Sequence, residues 1–270
     1  MGYPAPDTCR LTLIGAATTL IECGSFRLLT DPVFDPPGTR YTLRILGLIP
    51  IAMQKTAGPA LPVERLGPID AILLSHDGHA DNLDAAGRTL LRTVPAVLTT
   101  PAAAGRLGPP AQGLPTWATT ELTAADGSVL RITATPARHG PPGSLRIVGP
   151  VTGFLLEWAG QRHGALYLSG DTVWFNTLRQ IGERVQVSAA VLHLGGAGFP
   201  ISGPIHYTMT ARDVPRLVQA LGARTVAPVH YEGWQHFKEP AAQAREWLQR
   251  AQLTASLVWL APGQTVTIPV

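Results

Sequence analysis

Residues 75–84 read Ser-His-Asp-Gly-His-Ala-Asp-Asn-Leu-Asp, and this is where the chain concentrates groups able to do chemistry. Between positions 76 and 82 it offers two imidazoles (His76, His79), two carboxylates (Asp77, Asp81) and one amide (Asn82). Neutral imidazole together with carboxylate is a donor set that suits borderline divalent metals such as Zn²⁺. The stretch follows an apolar run, residues 69–74, that reads as a buried strand, and it runs into a helix-compatible segment, residues 83–92. Gly78 allows a sharp turn between the two histidines. A reading without metal also accounts for these residues: Asp81 caps the following helix, and Asp84 adds negative charge to its first turn. The choice depends on what the rest of the chain brings to the same place.

The elements around this stretch follow from apolar patterning and turn residues. Residues 10–14, 18–23 and 26–30 read as short strands, ending at a turn-rich stretch that opens Asp31-Pro32. Asp31 either approaches the site from that strand end or serves the turn. Residues 39–68 are poor in charge and show no clean period; long apolar connections of this kind act as lids or simply pack on the core. Residues 40–53 are expected to form a mobile apolar lid over the site. Strands are expected at 97–100, 129–134, 151–158, 165–169, 189–194, 225–229, 256–260 and 265–268, with helices at 102–107, 173–181, 210–221 and 241–251. Strand groups separated by helices occur in both halves. That pattern implies an α/β (α+β) fold with two β-rich halves packed face to face and helices outside, a four-layer αββα sandwich. Residues 1–270 read as a single domain, without repeat or linker.

Composition narrows the function classes. Of 270 residues 45% are hydrophobic, enough for a sizeable core, and only 14% are charged. The net charge of +3 includes only two lysines, Lys55 and Lys238, and no basic run, so nucleic-acid binding is not expected. Cys9 and Cys23 lie in strand-like segments and read as buried thiols rather than a disulfide framework. The first residues lack a signal-peptide pattern, and the longest apolar stretch, residues 45–53, is too short to span a membrane. A cytoplasmic protein acting on a small-molecule substrate is expected, with no membrane span; the oligomeric state is open.

The partners of residues 75–84 now come into view. His139, Asp171 and His230 each fall immediately after an expected strand, as His76, His79 and Asp81 do. In layered α/β folds such strand ends converge where ligands bind. The order of a His-rich strand-end loop, a later His, Gly170-Asp171-Thr172 and a final His resembles the metallo-β-lactamase-fold hydrolases. Leu28-Leu29-Thr30-Asp31-Pro32, Ser169-Gly170-Asp171-Thr172 and Pro228-Val229-His230-Tyr231 are similar to the branch containing ascorbate-phosphate lactonase and N-acylphosphatidylethanolamine phospholipase D. The resemblance covers nearly the whole chain and implies the αββα fold and one or two bound ions. Zn²⁺ is the expected ion, with Mn²⁺ or Fe²⁺ as alternatives.

The family pattern is His-x-His-x-Asp-His. Matched from its right-hand end, His79 takes the second His, Asp81 the Asp, and Asn82 falls where the last His belongs. The first His corresponds to Asp77 at strict spacing or to His76 through a bulged loop. His139, Asp171 and His230 match directly, with Asp171 implied as the bridge between two ions. Ala16 also stands where this branch often carries a His. The resemblance implies a metal-dependent hydrolase that activates water against an ester, lactone or phosphodiester, with Asp81 or Asp171 orienting the nucleophile and taking a proton. The alternative is a metal-binding or ligand-sensing protein that kept the fold without turnover, and Asn82 is the residue that supports it. The remaining histidines carry smaller expectations. His193 lines the pocket or sits hydrogen-bonded in the core, His206 touches substrate or a loop, His163 lies in an exposed turn and His236 is peripheral. Trp174 and Phe175 wall the pocket or pack on the core.

Overall fold

The computed structural model describes residues 4–45, 49–199 and 202–270. Two seven-stranded sheets carry the molecule. The first runs, in spatial order, β16 (Thr265–Pro269), β1 (Thr8–Gly15), β2 (Thr18–Cys23), β3 (Phe26–Thr30), β6 (Ala71–Leu73), β7 (Val97–Thr99) and β8 (Ala111–Gly113). The second runs β15 (Ser256–Leu257), β14 (Thr225–Val229), β13 (Val187–His193), β12 (Ala165–Leu168), β11 (Gly153–Trp158), β10 (Val129–Thr135) and β9 (Thr119–Thr123). A separate hairpin pairs β4 (Arg40–Ile45) with β5 (Ile49–Gln54). The helices are α1 (Ala85–Leu90), α2 (Pro101–Leu107), α3 (Leu145–Val148), α4 (Arg179–Arg184), α5 (Val214–Leu221) and α6 (Ala241–Arg250).

Period-two alternation builds the layers. In β11, Phe154, Leu156 and Trp158 enter the core between the sheets, while Leu155 faces outward to α4 and α5. In β6, Ala71 and Leu73 face the intersheet core and Ile72 faces a second apolar layer with Leu83 and Leu90. Three apolar layers therefore separate helix, sheet, sheet and helix, the four-layer αββα sandwich expected from the sequence. Cys9 and Cys23 are paired across β1 and β2 as buried free thiols. The helix expected at 173–181 forms later, as a 3₁₀ turn followed by α4, and Trp174 and Phe175 pack on the outer apolar layer.

The segment expected as a mobile apolar lid, residues 40–53, forms the β4–β5 hairpin, and residues 46–48, between the two strands in sequence, lie outside the described residues. Its base is fixed to the body: Lys55 N–H donates to Thr39 O and Thr56 N–H to Gly233 O, at 3.0 and 2.8 Å. Lys55 Nζ, 2% exposed, sits 3.0 Å from Asp84 Oδ2, which is wholly buried. Asp84, not Asp81, is the N-cap of α1; it accepts from Gly87 N–H at 2.8 Å and from Asp35 N–H at 2.7 Å.

A buried carboxylate that loses its cation is costly, by about 3–5 kcal/mol. Lys55→Met is therefore expected to lower unfolding free energy by about that amount in urea titration, and Lys55→Met/Asp84→Asn to recover part of the loss. A loss under about 1 kcal/mol, the scale of exposed pairs, would mean the pair does not anchor the hairpin.

Candidate metal centre

Strand direction explains why the candidate residues meet. β12, β13 and β14 are mutually parallel, and β10 runs the same way because β11 is antiparallel to both of its neighbours. His139 follows β10, Asp171 follows β12, His193 ends β13 and His230 follows β14, so all four leave the second sheet on one edge. Residues 75–84 arrive at that edge from β6 of the first sheet, where Thr152 N–H donates to Ser75 O at 3.1 Å. Two glycines make the approach possible. Gly170 has φ +57° and a Cβ there would lie 2.5 Å from Thr152 O; Gly195 has φ +85° and a Cβ would lie 2.4 Å from His230 O. Ala16 and His230 also adopt positive φ, +47° and +61°, and are joined by a His230 N–H to Ala16 O hydrogen bond of 3.0 Å. Such backbone strain concentrates where surrounding structure holds a functional geometry.

Two buried groups of donors result. In the first, His76 Nε2 lies 3.0 Å and His139 Nε2 2.9 Å from His79 Nδ1. His139 Nδ1–H donates to Tyr207 O at 2.7 Å, since a carbonyl can only accept, so in the neutral ring Nε2 presents a lone pair. His79 Nδ1 can supply a proton to one of its two neighbours and not to both. Burial, reinforced by the other imidazoles, lowers the His76 pKa, and burial with the facing His139 lowers that of His79 to about 4. Neutral imidazoles with converging lone pairs are what a divalent cation requires.

In the second group, Asp171 Oδ1 lies 2.8 Å from His193 Nδ1 and 3.6 Å from His230 Nε2. Asp81 Oδ2 lies 3.4 Å from His230 Nε2 and 2.9 Å from His236 Nε2. Asp171 Oδ2 stands 3.9 Å from His139 Nε2 and connects the two groups. Burial alone would raise both carboxyl pKa values, but His236 and His230 hold Asp81 well below the ordinary range, and His230 with His193 does the same for Asp171. His230 answers in the opposite sense: burial disfavours its charge, yet Asp171 and Asp81 raise it to about 9. Asp81 Oδ1, Asp171 Oδ2 and His230 Nε2 are buried without a hydrogen-bond partner in the protein. The two orphaned carboxylate oxygens, acceptors within a buried cluster, fit a bound cation.

The structure brings together His76, His79, His139, Asp81, Asp171 and His230, and of the two candidates for the first position it is His76 that joins the cluster. Asp77 stands apart: its carboxylate is gripped by Arg106, with Nε 2.9 Å from Oδ2 and a second contact to Oδ1, because the extra residue in the loop turns 77 away from 76 and 79. Gly78 is not needed for that turn, since its φ is not positive and a Cβ would meet only ordinary contacts. Asn82 Nδ2 donates to Ser75 Oγ at 3.4 Å. Asp31 does reach the site, accepting from Ser75 N–H at 2.7 Å and lying 3.8 Å from His193 Nε2. His206 hydrogen-bonds Gly196 O, and His163 meets Arg224. His236 is not peripheral: it is buried against Asp81. It follows an irregular loop six residues past His230, so no strand-end position marked it in the sequence.

Comparison with known proteins places this architecture. Residues 26–231 match the family described as the beta-lactamase superfamily domain. A UPF0173 metal-dependent hydrolase of Methanoregula boonei is 28% identical over 263 residues, covering 96% of this chain and 98% of the relative. One of Pelotomaculum thermopropionicum is 28% identical over 268 residues, covering 96% and 100%. Among solved structures, an isothiocyanate hydrolase from Delia radicum gut bacteria superposes with a TM-score of 0.77 at 22% identity, covering 97% of this chain and all of that one. Igni18, a metallo hydrolase of Ignicoccus hospitalis, superposes with a TM-score of 0.68 at 22% identity, covering 97% and 99%. With the αββα layers and the strand-end donors in place, the chain belongs to the metallo-β-lactamase-fold hydrolase superfamily.

Proposed function

We propose that this chain is a metal-dependent hydrolase holding two divalent ions, zinc in the first instance, in a cytoplasmic setting. The observation that carries the reading is the pair of buried donor groups joined through Asp171. His76, His79 and His139 would hold one ion and Asp81 and His230 the other, with Asp171 between them. When bound, such ions supply Lewis acidity, lowering the pKa of water and polarising a substrate oxygen. The chain's own residues do the rest. Tyr207 O fixes the His139 ring through Nδ1–H, and Ser75 Oγ, 3.0 Å from His76 Nδ1, fixes that ring. Asp81 keeps Oδ1 free of protein partners, so it can orient a water and receive its proton. His193 holds Asp171 by Oδ1 and leaves Oδ2 directed at the centre.

The substrate reading rests on the cleft above the centre. A cavity of about 520 Å³ between the β4–β5 hairpin and α1 is lined by Tyr41, Leu43, Met53, His79, Leu83 and Arg88, among others. Met53 and His79 also line a small inner cavity with Asp81, His139, Phe199 and Tyr207, which makes Met53 the divide between cleft and centre. Arg88 is the lone guanidinium or ammonium among the described residues of the cleft, and it already donates to Asp77 O at 2.6 Å. Walls this apolar favour a small neutral ester or lactone over a phosphodiester, whose charge would need more cationic partners. No helix among the described residues is long and apolar enough to cross a membrane. The isothiocyanate hydrolase neighbour adds isothiocyanates to the compounds worth testing.

Protein stripped with chelator should lose hydrolysis of lactones and aryl esters and regain it with Zn²⁺, while His139→Ala loses more than about 100-fold in kcat/KM. Turnover unchanged by chelation would overturn the reading, and bis-aryl phosphates hydrolysed in preference to esters would move the substrate class to phosphodiesters. Met53→Phe is expected to lower kcat/KM by about 10-fold or more through the narrowed passage, with metal content unchanged.

A further inference from the structure

If Asp171 joins two ion sites, the one built on Asp81 and His230 is short of an imidazole, because position 82 carries an amide. Asn82 can offer that gap no more than an amide oxygen. Its Nδ2 is spent on Ser75 Oγ, and that hydroxyl lies beside His76 Nδ1. His76 faces His79 through its other nitrogen, Nε2, so the amide nitrogen is engaged on the far side of the His76 ring, and Oδ1 of Asn82 stays buried without a protein partner. A neutral amide oxygen is also a weaker ligand than imidazole for a borderline ion.

Another imidazole stands where the shell is incomplete. His236 Nε2 is 2.9 Å from Asp81 Oδ2, the same oxygen that lies 3.4 Å from His230 Nε2. The His236 side chain is buried, 6% exposed, and it lines the inner cavity together with His79, Asp81 and His139. Nε2 is the nitrogen that faces Asp81, while Nδ1 is buried without a partner in the protein. The backbone that carries it is clamped on both sides. Gln235 N–H donates to Gln54 O at 3.0 Å, and Gly198 N–H donates to His236 O at 3.0 Å. The ring stacks on Phe199 at 5.5 Å and 15°, with Trp234 and Phe237 against its edges. This packing fixes an imidazole in one orientation before any ion arrives.

His193 is the competing imidazole, and its contacts give it a different task. Nδ1 is on Asp171 Oδ1 and Nε2 is 3.8 Å from Asp31 Oδ2, so both nitrogens address carboxylates. It lies stacked on His230 at 5.1 Å and 13°, alongside that ring rather than across the gap from it.

We propose that His236 replaces the imidazole absent at position 82 and completes a second ion site with Asp81, Asp171 and His230. The inference rests on the two-ion reading above and goes beyond it by naming a ligand from a different segment of the chain. Asn82 is then a positioning residue for His76 through Ser75.

The test is metal stoichiometry and affinity of the full chain, read without turnover. Metal-free protein is titrated with Co²⁺ and Zn²⁺, bound metal is counted by plasma mass spectrometry after gel filtration, and Co²⁺ absorption reports each site. Wild type should bind two ions. His236→Ala should keep the first and weaken the second by more than about 100-fold, the scale set by losses that even indirect ligand support produces. His236→Gln serves if the alanine variant is misfolded by circular dichroism, since it keeps bulk and a polar contact to Asp81. His236→Ala/Asn82→His should return the second affinity to within about 10-fold of wild type. Undiminished binding of two ions by both His236 variants overturns the proposal, as does loss of the second ion in His193→Ala but not in His236→Ala. A wild-type protein that binds a single ion overturns it too, while one that binds none overturns the metal reading beneath it.

Discussion

Asp31, Asp81 and Asp171 are three carboxylates within one cluster, each no more than 2% exposed. Removing a carboxylate from water costs several kcal/mol unless opposite charge and hydrogen bonds surround it. The layered fold answers this with imidazoles: His193 and His230 on Asp171, His230 and His236 on Asp81. Imidazoles can carry positive charge themselves or direct lone pairs at a cation, and those at this edge do not all respond alike. Burial lowers the pKa of His76 and His193 and takes that of His79 down to about 4, whereas Asp171 and Asp81 raise that of His230 to about 9 against its burial.

The rest of the architecture serves the same cluster. Strands leaving the second sheet in one direction deliver His139, Asp171, His193 and His230, and the first sheet delivers residues 75–84. The buried Lys55–Asp84 pair ties the β4–β5 hairpin to the start of α1, so the hairpin shapes the approach to the centre from a fixed base. Met53 at its end faces inward beside His79, which links the charge-bearing cluster to the apolar cleft.

Much of this was legible in the sequence because it follows from local rules. Alternating apolar runs located most strands, and a His or Asp just past a strand end pointed to one sheet edge. What escaped had non-local causes. The β4–β5 hairpin was hidden within a longer apolar stretch, although Tyr41 and Leu43, then Ile51 and Met53, keep a period of two on the face that packs beside the centre. His76 and Asp77 could not be separated by spacing, since the decision belongs to Arg106, which lies 29 residues from Asp77 and captures its carboxylate. His236 reaches Asp81 across 155 residues through a loop pinned by Gln54 and Gly198, and neither contact has a signature in the chain.

The central claim is that each of these two buried groups holds an ion, and anomalous diffraction from crystals grown with Zn²⁺ tests it most directly. Two peaks are expected on either side of Asp171. One should lie about 2.0–2.3 Å from nitrogens of His76, His79 and His139, and the other at similar distance from Asp81 and His230. Density confined to surface histidines such as His163, with none at Asp171, would contradict the account.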